Sequence, residues 1–251
     1  MNLSKLTEKD ILFGALQSAW KMDGQKNTDR ELTRVKTGTL ARPVFGVAIL
    51  AAGASVRMGE PKLVLPWGET TMVGHLIRQW QIIGAREIAL VLAAANQAVT
   101  AELDRLAFPL THRIVNPHPE QGMFSSIQCA ARWTGWDAEL SHWVLALGDQ
   151  PQLQAATLAA LVECGSAHPQ RICQLSYQNR PRHPIWLPRT FWRRLRDTDA
   201  TTMRVFLQNQ KDEIYLCDYC DAGLEMDIDR PEDYQAAMNF YFKRHESTRT
   251  G

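Results

Sequence analysis

The stretch LAAGASVRMGEPK, residues 50–62, packs two glycines, several small residues, an arginine and a lysine into one loop. It follows an apolar run that has the length and composition of a buried strand. Gly53 and Gly59 allow the backbone to turn and to approach a ligand closely, while Arg57 and Lys62 carry positive charge. The spacing fits neither the G-x-G-x-x-G dinucleotide fingerprint nor the G-x4-G-K-[ST] phosphate loop. The sequence therefore predicts a polyphosphate cradle of another kind, with an ordinary tight turn as the alternative.

Apolar runs of strand length alternate with helical patterns along the following chain. The predicted strands are 44–51, 87–92, 112–115 and 143–147, and the predicted helices are 70–84 and 125–133. This alternation predicts an α/β fold with a mostly parallel sheet, whose ligands bind beyond the carboxyl ends of the strands. The predicted organisation is an N-terminal helix with a flexible linker (1–42), the α/β domain (43–244) and a disordered tail (245–251).

The composition argues against several classes of function. Lysine and arginine number 28 against 27 aspartates and glutamates, so no strong field favours nucleic acid or an anionic membrane. The sequence lacks the apolar pattern of a membrane span or a signal peptide, and the expected location is the cytoplasm. The five cysteines are too few and too irregularly spaced for a disulfide framework and are expected to be reduced. A small molecule is the expected partner.

Two acidic motifs are expected at the same edge of the sheet as the loop. GDQP places Asp149 directly after an apolar run, and MDIDRPEDY carries Asp227 and Asp229 before a predicted helix. Turn formation and helix capping account for some of these acids, but they do not require Asp229. Asp149 and Asp229 beside a cation-bearing phosphate loop suit a Mg²⁺ site that orients a nucleoside triphosphate. The combination predicts transfer of a nucleotidyl group by attack at the α-phosphorus.

Five motifs in this order resemble those of the MobA-like nucleotidyltransferase family, in its molybdenum cofactor cytidylyltransferase branch. They are LAAGASVRMGEPKLVLPWG (50–68), NPHPEQGMFSSI (116–127), GDQP (148–151), RHP (182–184) and DIDRPEDY (227–234), within residues 46–242. The resemblance implies a Rossmann-like three-layer sandwich and a Mg²⁺-dependent enzyme. It also implies a reaction that joins CMP from CTP to the terminal phosphate of molybdopterin, giving molybdopterin cytosine dinucleotide and pyrophosphate.

The resemblance also assigns roles to residues at matching positions. It makes Arg57, Lys62 and Asp149 catalytic residues, and Asp149 with Asp229 metal ligands. The implied nucleotide-binding residues are Ala51, Ala52, Gly53, Gly59, Pro66 and Trp67, and the implied acceptor-binding residues are Asn116, Ser125, Ser126 and His183. Plainer interpretations stay open, because Trp67 would also pack on the sheet, the two serines would also cap a helix, and His183 would also fit an ordinary loop.

The resemblance leaves alternatives open. Arg182 stands where relatives usually have glycine before the His-Pro pair, which puts the acceptor-side contacts there in question. GTP in place of CTP, a different phosphorylated acceptor, or a non-catalytic molybdenum cofactor-binding chaperone are alternative functions. A molybdoenzyme apoprotein is an expected protein partner, with residues 1–42 as a candidate docking arm.

Overall fold

The structure, a computed structural model, describes residues 43–249, with side chains as far as residue 243. Its strands are β1 (Phe45–Ala51), β2 (Pro66–Trp67), β3 (Thr70–Thr71), β4 (Glu87–Ala93), β5 (Arg113–Asn116), β6 (His142–Leu147), β7 (Ile172–Tyr177), β8 (Arg180–Pro188) and β9 (Ile214–Asp218). Seven of them form one sheet in the order β5-β4-β1-β6-β8-β7-β9, and β2 pairs with β3 in a separate ribbon. Within the seven-stranded sheet, β8 runs antiparallel to both neighbours and the other pairs are parallel.

Helices cover both faces of this sheet. They are α1 (Met72–Ile83), α2 (Gln97–Arg105), α3 (Met123–Arg132), α4 (Ala155–Ala167), α5 (Arg189–Asp197), α6 (Met203–Gln208) and α7 (Pro231–Arg249). Residues of β1 alternate between two cores: Val47 and Ile49 pack with α1, α2 and α4, whereas Ala48 and Leu50 pack with α3, α5 and α6. The predicted Rossmann-like three-layer sandwich with a mostly parallel sheet is confirmed.

The helix after β3 shows how local sequence sets its bounds. The Thr71 side chain accepts a hydrogen bond from the Gly74 N–H at 3.3 Å, which caps the first turn of α1. The helix ends at Gly84, which adopts a left-handed conformation with φ of 97°. The helix stop predicted at this glycine is confirmed. The ribbon of β2 and β3 leads directly into this cap, which ties the end of the glycine loop to a packed helix.

Most predicted elements form within two residues of their expected bounds. The structure begins α3 at Met123, two residues before the predicted start, because Gly122 with φ of 87° makes the preceding turn. At the other end of the chain, α7 continues to Arg249 through most of the predicted tail. The predicted helix and linker at 1–42 lie outside the described residues. None of the described helices combines the length and apolarity needed to cross a bilayer.

The expectation that every cysteine is reduced is wrong for one pair. Cys164 of α4 and Cys217 of β9 form a disulfide, with Cα atoms 6.6 Å apart. Cys129, Cys173 and Cys220 are free. The two bonded cysteines are separated by 53 residues, so their proximity depends on the packing of α4 beside β9 rather than on any spacing visible in the sequence. The cytoplasmic location stays a prediction.

Candidate active site

The glycine loop follows β1 at the carboxyl edge of the sheet. Its two left-handed turns lie at Ser55, with φ of 51°, and at Gly59, with φ of 74°. The Ser55 hydroxyl accepts a hydrogen bond from the Lys62 N–H at 3.3 Å, and the buried Met58 anchors the middle of the loop. A Cβ added at Gly53 would meet no atom of the described residues within 4 Å, so these residues leave space open in front of the loop. The loop is therefore fixed from behind and accessible to a ligand in front.

Lys62 lies at the centre of the charged site. Its ammonium donates to Asp149 Oδ2 at 2.9 Å and to the Ile228 carbonyl at 2.7 Å, and it lies 3.6 Å from Asp229 Oδ1. The Arg57 guanidinium lies 2.9 Å from Asp229 Oδ2. The Lys62 side chain is 12% exposed, whereas that of Arg57 is 63% exposed. The four residues predicted to hold phosphate and metal are thus joined in one cluster.

The backbone and two glutamines hold the two acidic segments together. The Ile228 N–H donates to the Asp149 carbonyl at 3.2 Å. Gln150 donates to Asp227 Oδ1 at 2.9 Å, and the buried Gln152 donates to the carbonyls of Gly223 and Met226. These bonds fix the GDQP turn against the segment that precedes α7, so the separation of the acids is set by the fold.

Asp227 is a third acid in the site. Burial raises the pKa of its carboxyl, and the negative charge of Asp149 raises that pKa further. The sequence alone predicted no role for Asp227, Gln150 or Gln152. The alternating D-I-D pattern could have indicated that Asp227 belongs to the site. Glutamine is usually exposed, so the sequence gives no sign that Gln150 and Gln152 have a buried structural role.

The acids fit a divalent cation that also needs oxygen ligands from elsewhere. Asp149 Oδ1 is buried and accepts no hydrogen bond from the part of the chain that the structure describes. Among residues 43–243, no three histidine, cysteine, aspartate or glutamate side chains are grouped closely enough to hold a metal by themselves. Mg²⁺ commonly takes one or two carboxylates and completes its shell with water and substrate phosphates. The residues present therefore suit Mg²⁺ bound together with a phosphate ligand.

The predicted acceptor-binding residues at the end of β5 form a second cluster. The amide of Asn116 donates to Ser125 Oγ at 2.8 Å and to Ser126 Oγ at 2.9 Å, and Asn116 Oδ1 accepts from the His118 N–H at 2.9 Å. The serine hydroxyls do not accept a bond from the helix N-terminus, since α3 has no side-chain cap. Because β5 lies two strands from β1, this cluster is about 10 Å along the same edge from the glycine loop.

The other predicted nucleotide-binding residues differ in how they meet the cleft. Ala51 and Ala52 are buried, so their contacts with a ligand would involve the backbone. Pro66 is exposed, and its carbonyl accepts a hydrogen bond from the Tyr234 hydroxyl. The Trp67 side chain is 1% exposed and packs against rings that include Tyr241 of α7. The indole ring is therefore covered and cannot stack on a nucleotide base in this conformation. This agrees with the plainer interpretation of Trp67 as a packed residue.

His183 lies on β8 beside the end of β6. Burial lowers the pKa of its imidazole, which the hydrogen bond to the Leu145 carbonyl and the charge of Asp149 only partly oppose. Its Nδ1 is buried, and within residues 43–243 it has no hydrogen-bond partner. His183 is therefore close enough to Asp149 for the carboxylate charge to affect its pKa. Burial nevertheless favours the neutral imidazole.

Comparison with known proteins agrees with this geometry. The MobA-like NTP transferase domain matches residues 47–214. The chain is 32% identical over 205 residues to a protein named nicotine blue oxidoreductase from Paenarthrobacter nicotinovorans, covering 75% of this chain and 93% of that protein. It is 25% identical over 194 residues to the molybdenum cofactor cytidylyltransferase of Escherichia coli K12, covering 77% and 95% respectively.

Solved structures show the same fold. Rv0371c from Mycobacterium tuberculosis H37Rv superposes with a TM-score of 0.61 at 27% identity, covering 80% of this chain and all of that chain. A manganese complex of the same protein superposes with a TM-score of 0.56 at 26% identity, covering 78% and 98% respectively. The fold is therefore shared with a relative that has been crystallised with a divalent metal.

Proposed function

Since the chain belongs to the MobA-like NTP transferase domain family, we propose that it transfers the cytidylyl group of CTP to the terminal phosphate of molybdopterin. The products are molybdopterin cytosine dinucleotide and pyrophosphate. The observation that carries the proposal is the single cluster of Arg57, Lys62, Asp149 and Asp229 beside an open glycine loop. Similarity to the cytidylyltransferase of E. coli supports the choice of CTP and of the acceptor.

The chain's own residues divide the work of the reaction. The glycine-loop backbone and the exposed Arg57 bind the β- and γ-phosphates, and Lys62 adds positive charge close to the α-phosphate. Asp149 and Asp229 would hold Mg²⁺, which supplies neutralisation of phosphate charge when it is bound. An oxygen of the acceptor phosphate forms a bond to the α-phosphorus while the bond to the bridging oxygen breaks. The electron pair leaves with pyrophosphate, whose charge Arg57 and Lys62 stabilise.

Product identification with the purified full-length chain tests this function. The protein is incubated with molybdopterin, Mg²⁺ and each of the four ribonucleoside triphosphates, and the products are identified by mass spectrometry. We expect cytosine dinucleotide and pyrophosphate from CTP, with turnover lost in Asp149→Asn and retained in the exposed control Asp212→Asn. A guanine product would reject CTP selectivity, and tight molybdopterin binding without any dinucleotide would favour the cofactor-binding chaperone.

A second candidate function is an oxidoreductase that uses the same cleft. Its support is the 32% identity to the protein named nicotine blue oxidoreductase, which exceeds the 25% identity to the cytidylyltransferase. The paired acids around Lys62 favour phosphate and metal chemistry instead. Oxidation of added NADH or NADPH with a quinone-type acceptor, in a protein that yields no dinucleotide, would favour this second candidate.

A further inference from the structure

The hairpin of β7 and β8 brings two arginines to the carboxyl edge of the sheet. Because β8 is antiparallel to β6 in the register His142↔Pro188 to Leu145↔Ile185, its first residues extend past the end of β6. Continuing that register places the start of β8 level with Asp149. Arg180 and Arg182 are two residues apart on a strand, so their side chains leave the same face.

Glu225 is the carboxylate facing these arginines. Both guanidiniums contact the same oxygen, Oε1: Arg182 directly, and Arg180 at 4.0 Å, the outer limit of an ion pair. The Arg180 side chain is 73% exposed, and Arg182 Nε is buried and has no hydrogen-bond partner among the described residues. Two cations therefore share one anion, and because the Arg182 side chain is 26% exposed, both guanidiniums can reach a further anionic ligand.

The order of strands separates these arginines from the cations of the glycine loop. The loop follows β1, Asp149 follows the adjacent β6, and the hairpin belongs to the next strand, β8. The glycine loop and the hairpin are thus two strand spacings apart, about 10 Å, with Asp149 between them. In-line displacement at a phosphorus atom requires that the attacking and leaving oxygens lie on opposite sides of it. With pyrophosphate on the glycine-loop side, the attacking group approaches from the hairpin side. The cluster of Asn116, Ser125 and Ser126, predicted from the sequence to bind the acceptor, lies on the other side of the loop, beyond β4.

We propose that Arg180 and Arg182 bind the phosphate monoester of the acceptor, an inference that rests on the proposed nucleotidyl transfer. The two guanidiniums hold two of the phosphate oxygens and leave a third directed towards the α-phosphorus. That oxygen forms the new P–O bond, and the electron pair of the broken bond departs with pyrophosphate. The site selects a phosphorylated acceptor over an alcohol, because two cations that share the single charge of Glu225 attract a phosphate more strongly than an uncharged hydroxyl.

Substitution of each arginine separates acceptor binding from nucleotide binding. Arg180→Ala removes an exposed side chain, so the fold should be unaffected, and Arg182→Ala removes the partner of Glu225. Arg193→Ala on α5 serves as the control, because it is an exposed arginine on the opposite face of the sheet. We expect the KM for molybdopterin to rise about tenfold in Arg180→Ala and at least as much in Arg182→Ala, with the KM for CTP unchanged. Calorimetric titration of molybdopterin without CTP should show the same loss of affinity.

The outcomes distinguish this inference from the function beneath it. If the wild-type chain forms no dinucleotide, the proposed function fails and the acceptor site falls with it. If the wild type is active but both arginine variants bind molybdopterin as tightly as Arg193→Ala does, only the acceptor site is overturned. A rise in the KM for CTP, with no change for molybdopterin, would assign the hairpin arginines to the triphosphate and would likewise overturn it. Arg180→Ala decides the matter if Arg182→Ala does not fold.

Discussion

Lys62 lies at the centre of the charged cluster, where the proposed function also gives it a role in catalysis. Its ammonium is held between Asp149, Asp229 and the Ile228 carbonyl, so it neutralises acids that would otherwise repel one another. A Mg²⁺ ion bound to those acids would take over part of that neutralisation and free the ammonium for phosphate. The same charge therefore holds the acids together and, under the proposed function, would also bind the substrate phosphates.

Replacing Lys62 by methionine should weaken stability and ligand binding together. The partly buried Asp149 would lose its main partner, at a cost of about 2 kcal/mol, less than for a fully buried pair because water still reaches the carboxylate. Urea denaturation gives the first quantity, and titration with CTP in the presence of Mg²⁺ gives the second. The matched control is Lys211→Met, at an exposed position. Wild-type stability and affinity in Lys62→Met would show that the ammonium is dispensable.

His142 should make stability depend on pH. Its Nε2 lies 2.7 Å from the Pro169 carbonyl, its ring stacks on Trp186, and burial lowers the pKa of its imidazole. As pH falls below about 6.5, the unfolded chain takes up a proton that folded His142 resists, so the free energy of unfolding decreases. We expect His142→Gln to lose less stability than the wild type between pH values of about 7.5 and 5.5. Equal losses would contradict this assignment; His183, whose pKa is also lowered, should preserve part of the slope in the variant.

At the scale of the residue, the sequence identified the charged residues of the site better than the residues that hold them in place. Lys62, Asp149 and Asp229 were identifiable because each follows a predicted strand or precedes a predicted helix in a motif of known type. Gln150 and Gln152 were not, because their role depends on carbonyls and a carboxylate of a segment more than seventy positions away. Trp67 illustrates the same limit, since only the packing of α7 shows that its ring is covered.

The ends of β1 and β6 form the element on which the site depends. Gly148 directly precedes Asp149 and lies beside the end of β1, where the glycine loop begins. A Cβ at this position would come within 2.9 Å of the Leu50 carbonyl and 3.1 Å of Leu63. Both contacts are tighter than ordinary packing allows, and the carbonyl belongs to the backbone of β1. Glycine is therefore needed here for close approach of the two strand ends.

Alanine substitution at two glycines should separate folding from binding. Gly148→Ala should cost about 1–3 kcal/mol of stability, because the Leu50 backbone must shift, and it should lower turnover by displacing Asp149. Gly53→Ala meets no protein atom, so its stability should match the wild type while CTP binds more weakly. Thermal unfolding and calorimetry measure the two effects. The reverse pattern, with Gly53→Ala unstable and Gly148→Ala unaffected, would contradict the roles assigned to these strand ends.

Element prediction succeeded where the apolar periodicity was strong and where a glycine marked the end. The β1 strand, α1 and its stop at Gly84 were readable for these reasons. The antiparallel direction of β8 was not, because apolar alternation carries no information on strand direction. That direction brings Arg180 and Arg182 to the active-site edge, so the strand whose orientation the sequence leaves undecided is the one that carries the proposed acceptor site.

At the scale of the whole molecule, the sheet acts as a platform whose carboxyl edge collects side chains from distant segments. The glycine loop, the GDQP turn and the acidic segment before α7 meet there because β1 and β6 are adjacent and parallel, and because Ile228 bonds to Asp149. The chain divides into two units, Met1–Arg42 and Pro43–Gly251. All of the cores described above lie in the second unit.

A chain shortened to residues 43–251 should therefore fold and bind CTP. Its cores and its charged site are contained in that unit, so we expect a cooperative thermal transition within a few degrees of the full-length protein. Circular dichroism on heating, followed by CTP titration, provides the measurement. If the shortened chain does not fold, or folds but does not bind CTP, residues 1–42 are needed to complete the domain.

The most direct test of the site is calorimetric titration of CTP into the full-length protein with and without Mg²⁺, repeated with Asp149→Asn. If Arg57, Lys62, Asp149 and Asp229 form one metal-assisted triphosphate site, CTP should bind the wild type tightly only with Mg²⁺ present, and the variant should lose that metal-dependent gain. Equal binding with and without Mg²⁺ in both proteins, or no binding of CTP to the wild type, would contradict it.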